Sequence, residues 1–432
     1  MLKKIKNIIK KTDLFFYKKF GSNKSLKFLQ NINEAQEIFS YLNEIGEESK
    51  VRFVGGCVRK SLTGEQIDDI DLATSLTPEK VKEKLSKKNV KVFDTGLSHG
   101  TITAILNKKK FEITTLRKDV ATDGRHAKVK FTLDWHDDAS RRDFTINAIY
   151  ADIYGRIYDP YNGASDLKKG KVIFIGNAEE RIQEDYLRIL RYFRFFIHYE
   201  NFDLNSEIIK SIKKNINGLN KISNERIFDE LLKILKLKNI NILFSNSQSK
   251  EIILNIFPQF KYYERLKTIS NLSKKLRESF DSCLILGLLI IDETHDYEYF
   301  CHKYKISNAI KKRFKNISTN FEKFKSKSFF SEQNIKKLIY FNNKSSVLDL
   351  LLFSTCINKK RNILEIEKLI DFVNFCKVPK FPISGEYLKD HGYKTGLSLG
   401  KKLRSLEEKW IENNFTIDKK IILKTLDKEK EN

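Results

Sequence analysis

Asp69-Ile70-Asp71 puts two carboxylates at i and i+2 of an extended segment, hence on one face of a strand. Two carboxylates so placed can hold divalent cations that activate a hydroxyl nucleophile and brace a triphosphate, which is what nucleotidyl transfer requires. The same pattern also arises on turns and solvated strand faces, and Asp68 beside it suits a turn. Upstream, Gly55-Gly56-Cys57-Val58-Arg59 sets a glycine pair between a strand and a helix. Such a pair lets backbone N–H groups approach a phosphate closely, and Arg59 can add charge-assisted bonds. It serves equally as a tight turn needing positive φ. Glu112, in Phe111-Glu112-Ile113, has apolar neighbours on both sides. It either completes a metal triad with Asp69 and Asp71 or sits on a solvated edge strand.

The elements that must position these groups follow from glycine, proline and β-branched runs. Twelve of the 18 glycines lie at or before Gly176, and only Gly218 and Gly287 fall between Gly176 and Gly385. The first part therefore reads as mixed α/β and the remainder as nearly all helical. Val51 to Val54 is a strand, and Val58 to Leu62 a helix after the glycine pair. Ile70 to Ala73 is a second strand. Gly100 to Leu106 and Lys110 to Leu116 form a hairpin across Asn107-Lys108-Lys109, and Tyr150 to Tyr158 another around Gly155. One helix is expected over Asn177 to Phe196 and another over Asn224 to Leu232.

The chain has 432 residues, with 81 Lys and Arg against 56 Asp and Glu, a formal charge of +25. That excess points to a polyanionic partner such as nucleic acid, although an AT-rich genome also enriches Lys, Asn and Ile. Hydrophobic residues at 41% exclude wholesale disorder. No apolar run of about 18 residues is present, so no membrane-spanning helix is expected. The five cysteines (57, 283, 301, 356 and 376) are scattered and odd in number, which argues for a reducing, cytoplasmic setting rather than a disulfide scaffold. Cys301-His302 with His295 lacks zinc spacing and reads as ordinary side chains. The first twenty residues carry seven Lys and one Asp, a basic amphipathic arm rather than an Arg- and Ser-rich transit peptide.

Seven stretches, in order, resemble the class II tRNA nucleotidyltransferases, the CCA-adding enzymes, which share a catalytic head with bacterial poly(A) polymerases. They are GGCVRKSLTGEQIDDIDLAT (55–74), DTGLSHGTITAI (94–105), FEITTLR (111–117), TDGRHAKVKF (122–131), RRDFTINAIYAD (141–152), EDYLRILRYFRFF (184–196) and NERIFDELLKIL (224–235). RRDFTINA and EDxLRxxR carry most of the specificity. Segment 384–415 also looks like the C-terminal part of alphaproteobacterial members. The resemblance implies an α/β plus all-α fold, in which a nucleotidyltransferase (polymerase-β-like) mixed-sheet head precedes an elongated all-helical neck, body and tail. The implied domains are a basic arm (1–30), the catalytic head (31–176), a neck with a base-reading pocket (177–240) and a tRNA-binding body and tail (241–432). No HD-type phosphohydrolase signature accompanies them.

The resemblance also assigns roles. Asp69 and Asp71 would bind Mg²⁺, Gly56, Arg59 and Arg142 the triphosphate, and Asp143 the head–neck junction. Asp185 and Arg188 match the pair that reads the incoming base, Arg191 and Arg194 further nucleotide-contacting arginines, and Asp152 to Gly155 a hinge. Where the family has Asp after the motif arginine, this chain has Lys60. Asp185 and Arg188, at i and i+3 of the expected helix, would be neighbours. A carboxylate accepts from the exocyclic amine of cytosine or adenine and a guanidinium donates to ring acceptors, whereas uracil and guanine present a repelled carbonyl oxygen. Arg194, rotated furthest round the helix, suits the triphosphate or a structural ion pair. The implied activity is template-independent addition of CCA from CTP and ATP to the tRNA 3′ end, with Mg²⁺, by a monomer or homodimer. Poly(A) synthesis, a split CC- or A-adding activity and an inactive RNA-binding homologue are the alternatives. The stretch between the carboxylate strand and RRDFT lacks the Arg-rich strand of poly(A) polymerases.

Overall fold

The computed structural model describes residues 26–43, 50–123, 126–199, 204–358 and 362–416. Most of the basic arm therefore lies outside the described residues. The chain forms two compact units, Met1–Ile256 and Phe257–Asn432.

In the first unit, β1 (Val51–Val54) is buried at every position and runs between β2 (Ile70–Thr74) and β8 (Tyr150–Ala151). The remaining strands are β3 (Lys91–Gly96), β4 (Thr101–Leu106), β5 (Lys109–Thr115), β6 (Arg117–Asp123), β7 (His126–Phe131) and β9 (Ile157–Tyr158). Seven of the nine make one mixed sheet in the order β3-β4-β5-β2-β1-β8-β9, and β6 and β7 form a separate ribbon. Among the described strands only β2 and β5 pair in parallel, and their register sets Asp71 opposite Glu112. The β4–β5 hairpin turns on two residues, Asn107 and Lys108, both at positive φ (47° and 68°), the conformation that a two-residue turn demands. Lys109, expected in the turn, pairs with Leu106 as a strand residue.

Beneath the sheet, Val51, Phe53, Val58, Leu72, Ile102, Phe111 and Ile113 pack into one apolar core with helices α1 (Asn33–Leu42) and α3 (Pro78–Ser86). Between them in sequence, α2 (Gly56–Thr63) starts directly at the end of β1. Gly55 precedes it at φ 66° and ψ −119°, a conformation that only glycine adopts without strain, and Gly64 closes it in the left-handed region. The core thus fixes the turn and the carboxylate strand side by side.

The expected single helix over 177–196 is two. Helix α4 (Ala178–Glu184) ends at Asp185, whose φ of −152° and ψ of 101° are extended, and α5 (Arg188–Tyr199) begins three residues later. The Asp185 carboxylate accepts the Leu187 backbone N–H at 3.2 Å, and its carbonyl accepts that of Arg188 at 3.0 Å, so Asp185 caps the second helix instead of continuing the first. Gly218 leaves room for this break, because a Cβ there would lie 2.0 Å from the Tyr186 ring. Helices α6 (Ser206–Asn215) and α7 (Asn224–Leu235) pack on α4 and α5 respectively.

The second unit has no strand among its described residues. Its centre is two helices apolar nearly all round, α8 (Ser282–Ile290) and α10 (Lys344–Ile357), as expected for elements surrounded by others. Arg313, on α9 (Asn308–Thr319), joins them through Asp281 (2.7 Å) and Asp349 (2.8 Å). A further helix runs over Leu397–Glu412, its Trp410 buried against Tyr340, Phe381 and Phe415. Among the described residues no helix is long and apolar enough to cross a membrane.

Candidate active site

A cavity of about 400 Å³ opens where the N-terminus of α2 and the carboxylate strand meet α5 and α7. Gly55, Gly56, Arg59, Asp71, Arg142, Asp185, Arg188, Arg191 and Arg194 all line it. With Arg141 and Arg226 added, seven arginines face three aspartates, Asp71, Asp143 and Asp185. A cavity so lined suits a ligand of several negative charges.

Arg59, Arg191, Arg194 and Arg226 are held by partners far away in sequence. Arg59 donates from Nε to the Tyr199 hydroxyl at 3.0 Å and from Nη1 to the Asn147 side-chain oxygen, with its guanidinium over Phe195. Its orientation therefore comes from Asn147 and Tyr199. Lys60 instead meets Asp68 at 2.7 Å on the surface. Asn147 in turn donates to Asp143 at 2.8 Å, and Asp143 accepts Arg191 Nε at 2.7 Å. Burial would raise the Asp143 carboxyl, but Arg191 and the Asn147 bond hold it well below the usual range. That chain ties the head to α5, in keeping with the junction role implied for Asp143.

Arg142 donates to Asp138 (3.1 Å) and the Tyr150 hydroxyl (3.0 Å). Asp138 is 1% exposed and also binds Arg141 at 2.7 Å. Burial alone would raise its carboxyl, yet the two arginines keep it strongly depressed, while burial and Asp138 push the Tyr150 phenol up. Arg194 pairs with Glu230, itself 2% exposed, at 2.5 Å, the structural ion pair that its position on the helix allowed.

The carboxylates divide. Asp71 lines the cavity, and its carboxyl is raised to about 6, chiefly by burial and then by the negative charge of Glu112. Asp69 is exposed just before β2 and is not part of the cavity wall. Glu112 sits beside Asp71 in register, but its side chain is 45% exposed and pairs with Lys110 at 2.6 Å. Among the described residues no three acidic, His or Cys side chains gather closely enough to hold a metal, Cys301 and His302 included.

The expected contact between Asp185 and Arg188 is absent. Because the helix breaks at Asp185, its carboxylate turns to Arg226 (Nη2 to Oδ2, 2.8 Å), while Arg188 Nη1 donates to Glu184 (2.6 Å) and to the Arg181 carbonyl (2.8 Å). Both still line the same cavity. The expected hinge is a closed turn: Asp152 accepts the backbone N–H groups of Tyr154 and Arg156, each at 2.9 Å. Sequence reasoning missed Asp138, Asn147, Tyr150, Glu230 and Arg226. Only Asp138 left a local signal, since it precedes Arg141 and Arg142 by three and four residues on one helical turn.

A glycine turn leading into a helix, a paired-carboxylate strand and an arginine-lined cavity define a nucleotidyltransferase head. Family models agree: residues 51–173 match the poly A polymerase head domain, and 201–263 match the probable RNA and SrmB-binding site of polymerase A. The chain is 34% identical to the human mitochondrial CCA tRNA nucleotidyltransferase 1, covering 93% of this chain and 91% of that one. It is 30% identical to the CCA-adding enzyme of Lactococcus lactis, covering 92% and 96%. Its fold matches the Bacillus stearothermophilus CCA-adding enzyme in complex with CTP (TM-score 0.70, 23% identity, 95% and 98% covered). The chain belongs to the CCA-adding tRNA nucleotidyltransferases.

Proposed function

We propose that this chain adds C, C and A to the 3′ end of tRNA from CTP and ATP without a nucleic-acid template, using the one arginine-lined cavity for both nucleotides. The observation that carries this reading is the convergence in that cavity of Gly56, Arg59, Asp71 and Arg142 with Asp185 and Arg188. The backbone N–H groups that open α2, together with Arg59 and Arg142, receive the triphosphate. The RNA 3′-oxygen attacks the α-phosphorus in line. A new phosphodiester bond forms as the bond to the bridging oxygen breaks, and pyrophosphate leaves.

Asp69 and Asp71 are the residues that would hold Mg²⁺. One or two carboxylates completed by substrate phosphates are its usual protein ligands, and the negative charge crowded around Asp71 fits a divalent cation. When bound, the ion supplies charge neutralisation at the phosphates and activation of the hydroxyl. Glu112 is assigned to the electrostatics of this strand. Asp185 accepts the exocyclic amine of cytosine or adenine. Arg188, its Nη1 committed to Glu184 and the Arg181 carbonyl, offers its other nitrogens to the ring acceptors. Arg191 and Arg194 act mainly as the framework of this wall.

We assign 31–176 to the head, 177–240 to the neck and 241–432 to the body and tail. Exposed lysines of the second unit, such as Lys267, Lys274, Lys312 and Lys315, are candidates for phosphate contacts with tRNA. A cytoplasmic setting and a monomeric or homodimeric state complete the reading. All five cysteines are free thiols, which supports the former.

The test gives purified protein and Mg²⁺ a tRNA ending at its discriminator base, with CTP, ATP or both, and reads product length on a sequencing gel. Addition of three nucleotides followed by arrest is expected. An A ladder, a stop after CC, or no extension would overturn the reading.

A further inference from the structure

The cavity wall includes a further cation, Arg226, whose position bears directly on base choice. Arg226 stands near the start of α7, 41 residues beyond Asp185, and donates from Nη2 to Asp185 Oδ2 at 2.8 Å. The other carboxylate oxygen, Oδ1, accepts the Leu187 backbone N–H. The two side chains are 23% and 18% exposed, so the bond is largely shielded from water. Asp185 is thus gripped at both oxygens, one by local backbone and one by a neighbouring helix.

This grip has two effects. A carboxylate tethered only at Oδ1 is free to swing towards Arg188, three residues away, and the ion pair so formed would occupy the groups that the base needs. With Arg226 in place, Asp185 and Arg188 stay apart on separate partners, as the distances show. Arg226 also fixes the direction of the lone pairs left on Asp185. An ionised carboxylate offers only acceptors, so a fixed one rejects the carbonyl oxygen of uracil or guanine, whereas a mobile one can turn aside and tolerate it.

We propose that Arg226 is a positioning residue for base selection, holding the Asp185 carboxylate as a fixed acceptor separate from Arg188 and thereby setting the discrimination of C and A against U and G. The proposal rests on the reading that Asp185 meets the base.

The test measures kcat/KM for CTP and for UTP at the first addition in wild type, R226M, R226K and D185A. R226M is expected to lower the CTP/UTP ratio by about 10- to 100-fold, the worth of a charge-assisted bond, mainly through the KM for CTP. R226K keeps the charge but not the fork and should fall between wild type and R226M. A merely structural role would instead lower CTP and UTP use in parallel. If D185A collapses the ratio while R226M leaves it unchanged, the inference about Arg226 is wrong and the base-reading role of Asp185 stands. If D185A itself leaves the ratio unchanged, both fail. Should R226M not fold, R226K decides alone: an intermediate ratio supports the proposal and a wild-type ratio overturns it.

Discussion

Replacing Asp143 with Asn removes the charge at the centre of the chain that links head to α5 while nearly preserving its shape. Asp143 is 8% exposed and accepts Arg191 Nε at 2.7 Å, the Asn147 amide at 2.8 Å and the Phe144 N–H at 2.9 Å. Breaking one side of a buried pair costs about 3–5 kcal/mol because the other charge stays behind. Arg191 is 32% exposed, so water recovers part of this, and about 2–4 kcal/mol is expected. For a unit of this size that lowers Tm by about 5–15 °C. One tryptophan lies in each compact unit, Trp135 in the first and Trp410 in the second, so a W410F background leaves Trp135 as the reporter of the first unit in urea. Because Asn147 also orients Arg59, the KM for both CTP and ATP should rise together. A loss below about 1 kcal/mol with unchanged KM values would refute the claim that Asp143 organises the cavity.

Lys60→Ala removes an exposed pair with Asp68, worth about 0–1 kcal/mol, and leaves Arg59 held by Asn147 and Tyr199. Its kcat/KM should stay within about 2-fold of wild type by the reasoning for exposed pairs, and a loss above about 10-fold would contradict that placement of Arg59. Glu65 meets His198 at 2.7 Å; burial would raise its carboxyl, but the bonds from His198 and Thr63 lower it to about 2. Its folded-state pKa lies below the ordinary 4.5, so its stabilisation is present above pH 4.5 and is lost as pH falls towards 2. The unfolding free energy from urea titrations should therefore fall more for wild type than for E65Q on going from pH 5 to pH 3, by about 1–3 kcal/mol in all. Parallel curves would count against the Glu65–His198 tie. Asp71→Asn should abolish extension yet stabilise the metal-free protein at pH 8 by about 1–3 kcal/mol, because the charged form of Asp71 is disfavoured in the fold. Thermal melting in a chelator checks this, and an unchanged or lowered Tm would contradict it.

The parts of the fold legible in the sequence are those written in local pattern. The β1 strand and the glycine turn stand where β-branched runs and paired glycines placed them, and the β4–β5 hairpin does too, although its turn is one residue shorter than the expected Asn107-Lys108-Lys109. The break at Asp185 was not legible. Residues 177–196 contain no glycine or proline after Asn177, and the interruption comes from one carboxylate that caps Leu187 and is drawn to Arg226 on another helix. Partner choice among the arginines was hidden for the same reason. Arg191 finds Asp143 across 48 residues and Arg194 finds Glu230 across 36, and helical periodicity says which face a residue occupies but not what meets it. Of the residues named by motif resemblance, Gly56, Arg59, Asp71, Arg142, Asp185, Arg188, Arg191 and Arg194 line one cavity while Asp69 and Glu112 do not, and Arg59, Arg191 and Arg194 are held by residues outside their own motifs.

In the proposed function one protein cavity reads both cytosine and adenine. It is tested most directly by measuring CTP incorporation at the first addition step over a range of ATP concentrations, in wild type and in R188A. Purely competitive inhibition by ATP is expected in wild type, with Arg188→Ala weakening CTP use and ATP inhibition together. Non-competitive inhibition, or an R188A protein in which only one nucleotide is affected, would contradict it.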